Sequence, residues 1–310
     1  MSRIRFGCQV AADGNADSAR AAAQRAERAG FDIVQCADHL GTGWPLLATL
    51  VAMAEATTTI RVGTLVVNND FRHPVHLARE VAAIDHLSGG RVELGIGAGH
   101  AFPEYESIGL PFDPPAVRKA RLAESVEILR ALLDGETVTY PGRHYHLEGV
   151  RTMPALQPRL PILVGVNGRT ALTHAAQHAD AIGLTMLGRT LEDGQQHAVR
   201  WEPGYIDRTI AHIRDAAGAR ADSLELNALI QAVVVTDDRA VAARHIAERL
   251  EDLTVEDALA SPFLALGTHD QIAEHLWACR DRWGISYFSV RDVDTFAPVI
   301  ARIRRMEANE

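Results

Sequence analysis

Eight times along this chain a short, β-branched apolar run leads through a turn carrying Gly, Asp or His toward an Ala-rich amphipathic helix, and no other feature restricts the fold so sharply. The runs are IRFGCQV (4–10), FDIVQCA (31–37), IRVGTLVV (60–67), RVELGIG (91–97), PILVGV (161–166), DAIGLT (180–185), ELNALIQAVVV (225–235) and ISYFSV (285–290). Helical patterns occupy 17–30, 45–57, 73–87, 117–135, 168–179, 205–218, 238–253 and 294–307, with a further helix at 268–283 before the last run. Alternating strand and helix predicts parallel strands joined by right-handed crossovers. Eight such units close into a (β/α)8 (TIM) barrel, expected as one domain over 1–310, with ligand chemistry at the C-terminal ends of its strands. A doubly wound open sheet is the alternative. The near-continuous apolar character of FDIVQCA suits a strand covered on both faces.

Three segments exceed what a minimal barrel needs and are expected as insertions at the C-terminal face: 98–116, 136–160 and 186–204. The second carries TVTYPGRHYHLEGV, two alternating runs around Pro-Gly that read as a hairpin. Long loops at this face commonly build a pocket.

Bulk properties narrow the partners. A net charge of −9 argues against generic nucleic-acid binding, and the basic clusters RKAR (118–121) and RIRR (302–305) read as solvated helix faces. No window reaches the ~18 apolar residues of a membrane span, and MSRIRFGCQV lacks a secretory h-region, so a cytoplasmic protein is expected. Cys8, Cys36 and Cys279 are scattered singly and read as small core hydrophobes.

Chemistry-bearing residues cluster at the expected strand ends. Asp38 and His39 close the second run; a His beside an acid can be held in one tautomer and used to move a proton, although Asp38 could equally cap a turn. Trp44 follows five residues later and could wall a flat pocket or lie in the core. In SGGRVELGIGAGH (88–100), Gly95, Gly97 and Gly99 alternate, baring one face for a broad, flat molecule; His100 stands where a dinucleotide fingerprint would need its last Gly. In PILVGVNGRTAL (161–172), Gly165, Asn167 and Gly168 lie between a strand and a helix N-terminus, where free N–H groups and Arg169 could hold a phosphate. Asn68 and Asn69 end the third run, either as amide donors to a heterocycle or as turn residues.

Metal is the competing chemistry, from HPVH (73–76) and HYH (144–146). Yet metal-dependent barrel hydrolases place an HxH pair at the end of the first strand, and here that strand reads FGCQVAAD. No metal is assigned.

Taken in order, AERAGFDIVQCADHL, TTTIRVGTLVVNNDFRHPVHLAREVAAIDHLSGGRVELGIGAG, LPILVGVNGRTAL and GTHDQIAEHL resemble the luciferase-like monooxygenase superfamily, and most closely its coenzyme F420-dependent oxidoreductase branch. The resemblance implies a barrel with a deazaflavin (F420) at its C-terminal face, FMN being the alternative cofactor of a monooxygenase. It also implies a cis peptide between Leu65 and Val66 behind the ring. Carried over by position, Asp38, Leu65, Val66 and Asn68 meet the ring with the backbone of Ala98 and Gly99, while Gly165, Val166, Gly168 and Arg169 meet the phosphate and tail. His39 and Trp44 match a His and a Trp that flank substrate in deazaflavin-dependent sugar-phosphate dehydrogenases; a third catalytic position, Glu in those enzymes, is His100 here. A small-molecule substrate, a homodimer, and a separate reductase or dehydrogenase that recycles the cofactor complete the expectations.

Overall fold

The structure, a computed structural model, describes residues 3–11, 16–41, 43–190, 197–250 and 252–309. Its eight barrel strands are β1 (Arg5–Gln9), β2 (Ile33–Cys36), β3 (Arg61–Thr64), β4 (Val92–Gly97), β5 (Ile162–Val166), β6 (Ala181–Leu184), β7 (Glu225–Leu229) and β8 (Ile285–Val290). They pair in parallel in the order β3-β2-β1-β8-β7-β6-β5-β4, and β3 meets β4 through Val62–Val92 and Gly63–Glu93, which closes the cylinder. Each of the eight apolar runs supplies one of these strands. The open-sheet alternative is thereby removed.

The ring helices are α1 (Ala16–Arg28), α2 (Leu46–Glu55), α3 (Pro74–Leu87), α4 (Pro115–Leu133), α5 (Arg169–His178), α6 (Pro203–Ala217), α7 (His269–Trp283) and α8 (Val293–Glu307). Their apolar faces and the outward faces of the strands form the main core, in which Phe6 and Phe296 are fully buried and meet edge to face at 5.7 Å. No helix among the described residues is long and apolar enough to cross a membrane. The three cysteines are free and buried, and burial pushes each thiol up to about 12.

Inside the barrel a smaller apolar group, Ile33, Leu65, Leu163, Ala181 and Tyr287, fills the middle. Gln35 donates to Tyr287 (2.9 Å), Ser289 donates to Gln35 (2.8 Å), and Asn227 donates to Ser289 (3.0 Å), so the polar side chains of this layer satisfy one another. Nearer the N-terminal ends of the strands, Arg5 pairs with Glu93 and Glu225, and Arg61 pairs with Glu93.

Two stretches depart from the sequence reading. The apolar pattern of 225–235 predicts one strand, but the chain leaves the barrel after Leu229; Gln231 N donates to Phe263 O (2.8 Å), and Ala232–Val235 pairs in parallel with Leu264–Gly267. A barrel strand here needs only four to six residues, so the surplus of an eleven-residue apolar run must find a second partner. The pattern 238–253 predicts a ring helix; it forms Arg239–Ala247, whose neighbour is the short helix Val255–Ala260, and the seventh ring position falls to α7. Trp283 of α7 donates to Asp207 of α6 (2.6 Å), and Arg214 of α6 donates to the Trp283 carbonyl (2.9 Å), which ties the two into the ring.

Residues Val138–Pro141 and His146–Val150 pair antiparallel beside α4, where the Glu124 carboxylate accepts from the N–H groups of Arg143, His144 and Tyr145. Of the segment 186–204, residues 191–196 lie outside the described residues.

Candidate active site

The third strand ends abruptly at Thr64: the peptide between Leu65 and Val66 is cis, and the chain resumes as a two-residue strand, Val67–Asn68, paired with Ile96 and Gly97. Across this break Thr64 Oγ1 donates to Gly95 O (2.6 Å) and accepts from Gly95 N (2.8 Å). A Cβ on Gly95 would lie 2.1 Å from the Thr64 carbonyl oxygen, and one on Gly97 would lie 2.8 Å from Val66 Cγ2. The expectation that these glycines bare a face for a flat ligand is therefore corrected. They make room for the break in the neighbouring strand, and it is the half-buried Val66 that faces them.

Gly99 serves a similar purpose one step further out. Its φ is +75°, and a Cβ there would lie 2.0 Å from the Tyr105 hydroxyl and 2.6 Å from Asn68 Oδ1. Asn68 Oδ1 accepts from Asp70 N (3.1 Å) and lies 3.0 Å from the Tyr105 hydroxyl, so the amide oxygen serves the turn. Asn69 Nδ2 lies 3.4 Å from the Tyr145 hydroxyl. Tyr105 is fully buried, also approaches Asp70 Oδ2 (3.1 Å), and has its hydroxyl pushed above the usual phenol range, first by burial and then by the Asp70 charge. Asp70 in turn pairs with Arg121 of α4 (2.8 Å). The loop after β4 is thus pinned from beneath.

That pinning places the short helix Phe102–Ser107 over the end of β2, and Glu104 Oε1 comes 2.7 Å from His39 Nδ1. The ring of His100 meets that of His39 edge-on, with centroids 5.7 Å apart and planes at 86°. His39 itself remains 55% exposed while Glu104 is 15% exposed, so the carboxylate is held and the imidazole faces the opening.

Asp38 does something else. Its two oxygens take the guanidinium of Arg72, with Nη2–Oδ1 at 3.1 Å, and Oδ2 also accepts from Asn68 N (3.0 Å). The reading in which Asp38 orients His39 is corrected: Arg72 claims Asp38, and Glu104 takes the imidazole. Trp44 is 46% exposed and so does not lie in the core; Leu40 and Phe102 are likewise exposed apolar side chains. Leu65 is buried and its carbonyl accepts from Gln9 Nε2 (2.7 Å), while Ala98 is half-buried.

Gly165 and Val166 end β5, and a Cβ on Gly165 would lie 3.5 Å from Val66, which joins this strand end to the cis break. Gly168 (φ +83°) begins α5, and no side chain caps the first turn of that helix. Lys119 of α4 reaches over, donating to Asn167 Oδ1 (2.6 Å) and Asn167 O (2.9 Å); burial lowers its pKa. Arg169 is exposed. An ammonium beside uncapped helical N–H groups is a constellation suited to a phosphate.

Glu104, Lys119, Arg72 and Tyr105 escaped the sequence reading. His39 and Glu104 are 65 positions apart and Lys119 and Asn167 48, so no local spacing announces either contact. HPVH is partly absorbed by structure: His73 Nδ1 accepts from Val75 N (3.3 Å) as the N-cap of α3.

Comparison with known proteins gives three kinds of likeness. The sequence profile of the luciferase-like monooxygenase family matches residues 1–254. An F420-dependent glucose-6-phosphate dehydrogenase of Beutenbergia cavernae is 30% identical over 274 residues, 82% of this chain and 81% of that protein. Another, from Amycolatopsis mediterranei, is 28% identical over 211 residues, where the match spans 60% of the relative's length. The coenzyme F420 dependent tetrahydromethanopterin reductase of Methanopyrus kandleri superposes with a TM-score of 0.75, covering 97% of this chain and 98% of that one; at 17% identity this is a likeness of fold.

Proposed function

The chain belongs to the luciferase-like monooxygenase family, and from that premise we propose that it is a coenzyme F420-dependent oxidoreductase, moving a hydride between the deazaflavin and a small organic substrate. The observation that carries the reading is the His39–Glu104 pair at the mouth of the barrel, with His100 against it. The chain offers a fit for the cofactor at two places. The cis break at Leu65–Val66 faces Gly95 and Gly97 just before the strand ends that carry Asn68 and Ala98–Gly99, where the ring is expected, and the uncapped start of α5 at Gly168 and Arg169, with Lys119 beside it, suits a phosphate-bearing tail. Gly165 and Val166 lie between these ends.

When bound, the deazaflavin supplies the carbon that gives or takes the hydride. The chain's own part is to hold and move a proton. A carboxylate only accepts, so Glu104 fixes His39 with its hydrogen on Nδ1 and leaves Nε2 to take a proton from a substrate hydroxyl, or to return one in the reverse direction. His100 stands where it can pass that proton to solvent or help seat the substrate, and Trp44 walls the opening. Asp38, neutralised by Arg72, contributes position near the ring and not proton transfer. The reading also calls for a separate reductase or dehydrogenase to recycle the cofactor; a homodimer is proposed with it from the family resemblance alone.

Titration of the protein with F420 and, separately, with FMN tests it. Tight deazaflavin binding with weak FMN binding is expected; tight FMN binding without deazaflavin binding would replace the proposal by a reduced-FMN monooxygenase, because carbon in place of ring N5 does not activate oxygen usefully.

A further inference from the structure

At the end of α5 remote from Gly168, a second group of ligating side chains converges that the proposed chemistry does not use. His174 and His178 lie one helical turn apart on α5, and Glu127 faces them from α4. We propose that Glu127, His174 and His178 bind one divalent transition-metal ion, Zn²⁺ by the character of the ligands, which clamps α4 to α5.

One ligand atom from each residue lies within 4.8 Å of the other two. A tetrahedral Zn²⁺ with bonds of about 2.0–2.2 Å needs ligand atoms roughly 3.3 Å apart, so small rotamer changes suffice to close the set. Two of the three are already together, since His174 Nε2 lies 2.9 Å from Glu127 Oε1. The imidazole of His178 stacks on that of His174 with centroids 4.3 Å apart and planes at 17°, as an i, i+4 pair on one helix face can. The hairpin adds an outer partner: Tyr140 donates to the other oxygen of Glu127 (2.8 Å), turning Oε1 toward the imidazoles in the way that second-layer hydrogen bonds orient metal ligands.

Charge and access agree. His178 is the last residue of α5, where the helix dipole favours a cation. The side chains of His174 and Glu127 are 22% and 37% exposed, so an ion reaches them from solvent and a water can fill the fourth position. Two imidazoles and one carboxylate favour Zn²⁺, Co²⁺ or Ni²⁺ over Mg²⁺ and Ca²⁺, which prefer oxygen ligands. Among the described residues no other set of three His, Cys, Asp or Glu side chains meets the same criterion.

The experiment is calorimetric titration of the full chain with ZnCl₂, with metal content measured after dialysis and thermal melts recorded with and without the ion. The expected result is one equivalent of Zn²⁺ and a raised Tm in the wild type. His178→Ala and Glu127→Gln should each weaken binding more than about tenfold and abolish the Tm shift, and Tyr140→Phe should weaken it about tenfold. F420 binding should stay unchanged in all three, which separates this proposal from that for the active site. Absence of bound Zn²⁺ in the folded wild type, or equal binding by wild type and His178→Ala, would overturn it; loss of the ion on replacing His73 and His76 instead would do the same.

Discussion

A carboxylate set against one nitrogen of a histidine decides what the other nitrogen is for, and at the mouth of this barrel that carboxylate is Glu104. Replacing His39 by Ala is expected to lower kcat about 10²-fold while changing the Kd for F420 by less than about threefold, since a general acid or base acts on the reacting atoms and not on the tail. Steady-state rates and a cofactor titration check it, and an unaltered kcat would take His39 out of the mechanism. Glu104→Gln keeps the shape but replaces an acceptor-only group by an amide that can present either end. We expect kcat to fall about tenfold with the Tm unchanged, because the side chain lies on a short surface helix. A fall in both together would mark Glu104 as structural.

Elements matter through their ends. The first turn of α5 begins at Gly168 without a capping side chain, and Lys119 of α4 stands against it. Lys119→Ala should raise the F420 Kd about tenfold and flatten its salt dependence, since an ammonium near a phosphate contributes on the order of 1 kcal/mol when partly exposed. Equal affinity for the variant would place the phosphate elsewhere. Another element end is secured by Glu27 of α1, whose Oε1 accepts from the N–H groups of Thr58, Thr59 and Ile60 before β3. Burial works to raise this carboxyl, but the bonds from Ile60, Thr59 and Thr58 outweigh it and hold the group down at about 2. Because the folded value is depressed, the stabilisation is present above the ordinary 4.5 and is lost as pH falls toward 2. Glu27→Ala should cost about 2 kcal/mol in denaturant unfolding at pH 7 and less at pH 3. An equal loss at both pH values would contradict this account.

At the scale of the whole molecule, closure of the barrel puts Arg5, Glu93 and Glu225 from three different strands into one interior layer. Burial raises the Glu225 carboxyl to about 7, Arg5 opposing the shift and Glu93 adding to it. With the folded value above the unfolded one, the contribution to stability is full below 4.5 and is lost as pH rises through about 7. Comparing wild type with Glu225→Gln by denaturant unfolding between pH 5 and pH 8, the wild type should lose roughly 2 kcal/mol more than the variant over that range. Parallel curves would mean that Glu225 stays ionised in the fold.

Strand and helix periodicity depends on neighbours a few positions away, and so the chain by itself determined the eight strands, their parallel sense, and the strand ends that bear Asp38, His39, Asn68, Gly99 and Gly168. What it could not determine is which distant side chain meets each of these. Glu104 on His39, Arg72 on Asp38, Lys119 over Asn167 and Tyr105 beneath Gly99 are pairings between strand-end loops and helices that come together only when the cylinder closes. The same limit explains Gly95 and Gly97, where sequence shows missing side chains but only the packed strands show that a carbonyl and a valine fill the space. It also explains the run 225–235, whose last residues pair with Leu264–Gly267 because a barrel strand ends where its neighbours end. Local pattern is written in residue order, whereas register and side-chain partnership are set by closure of the sheet on itself.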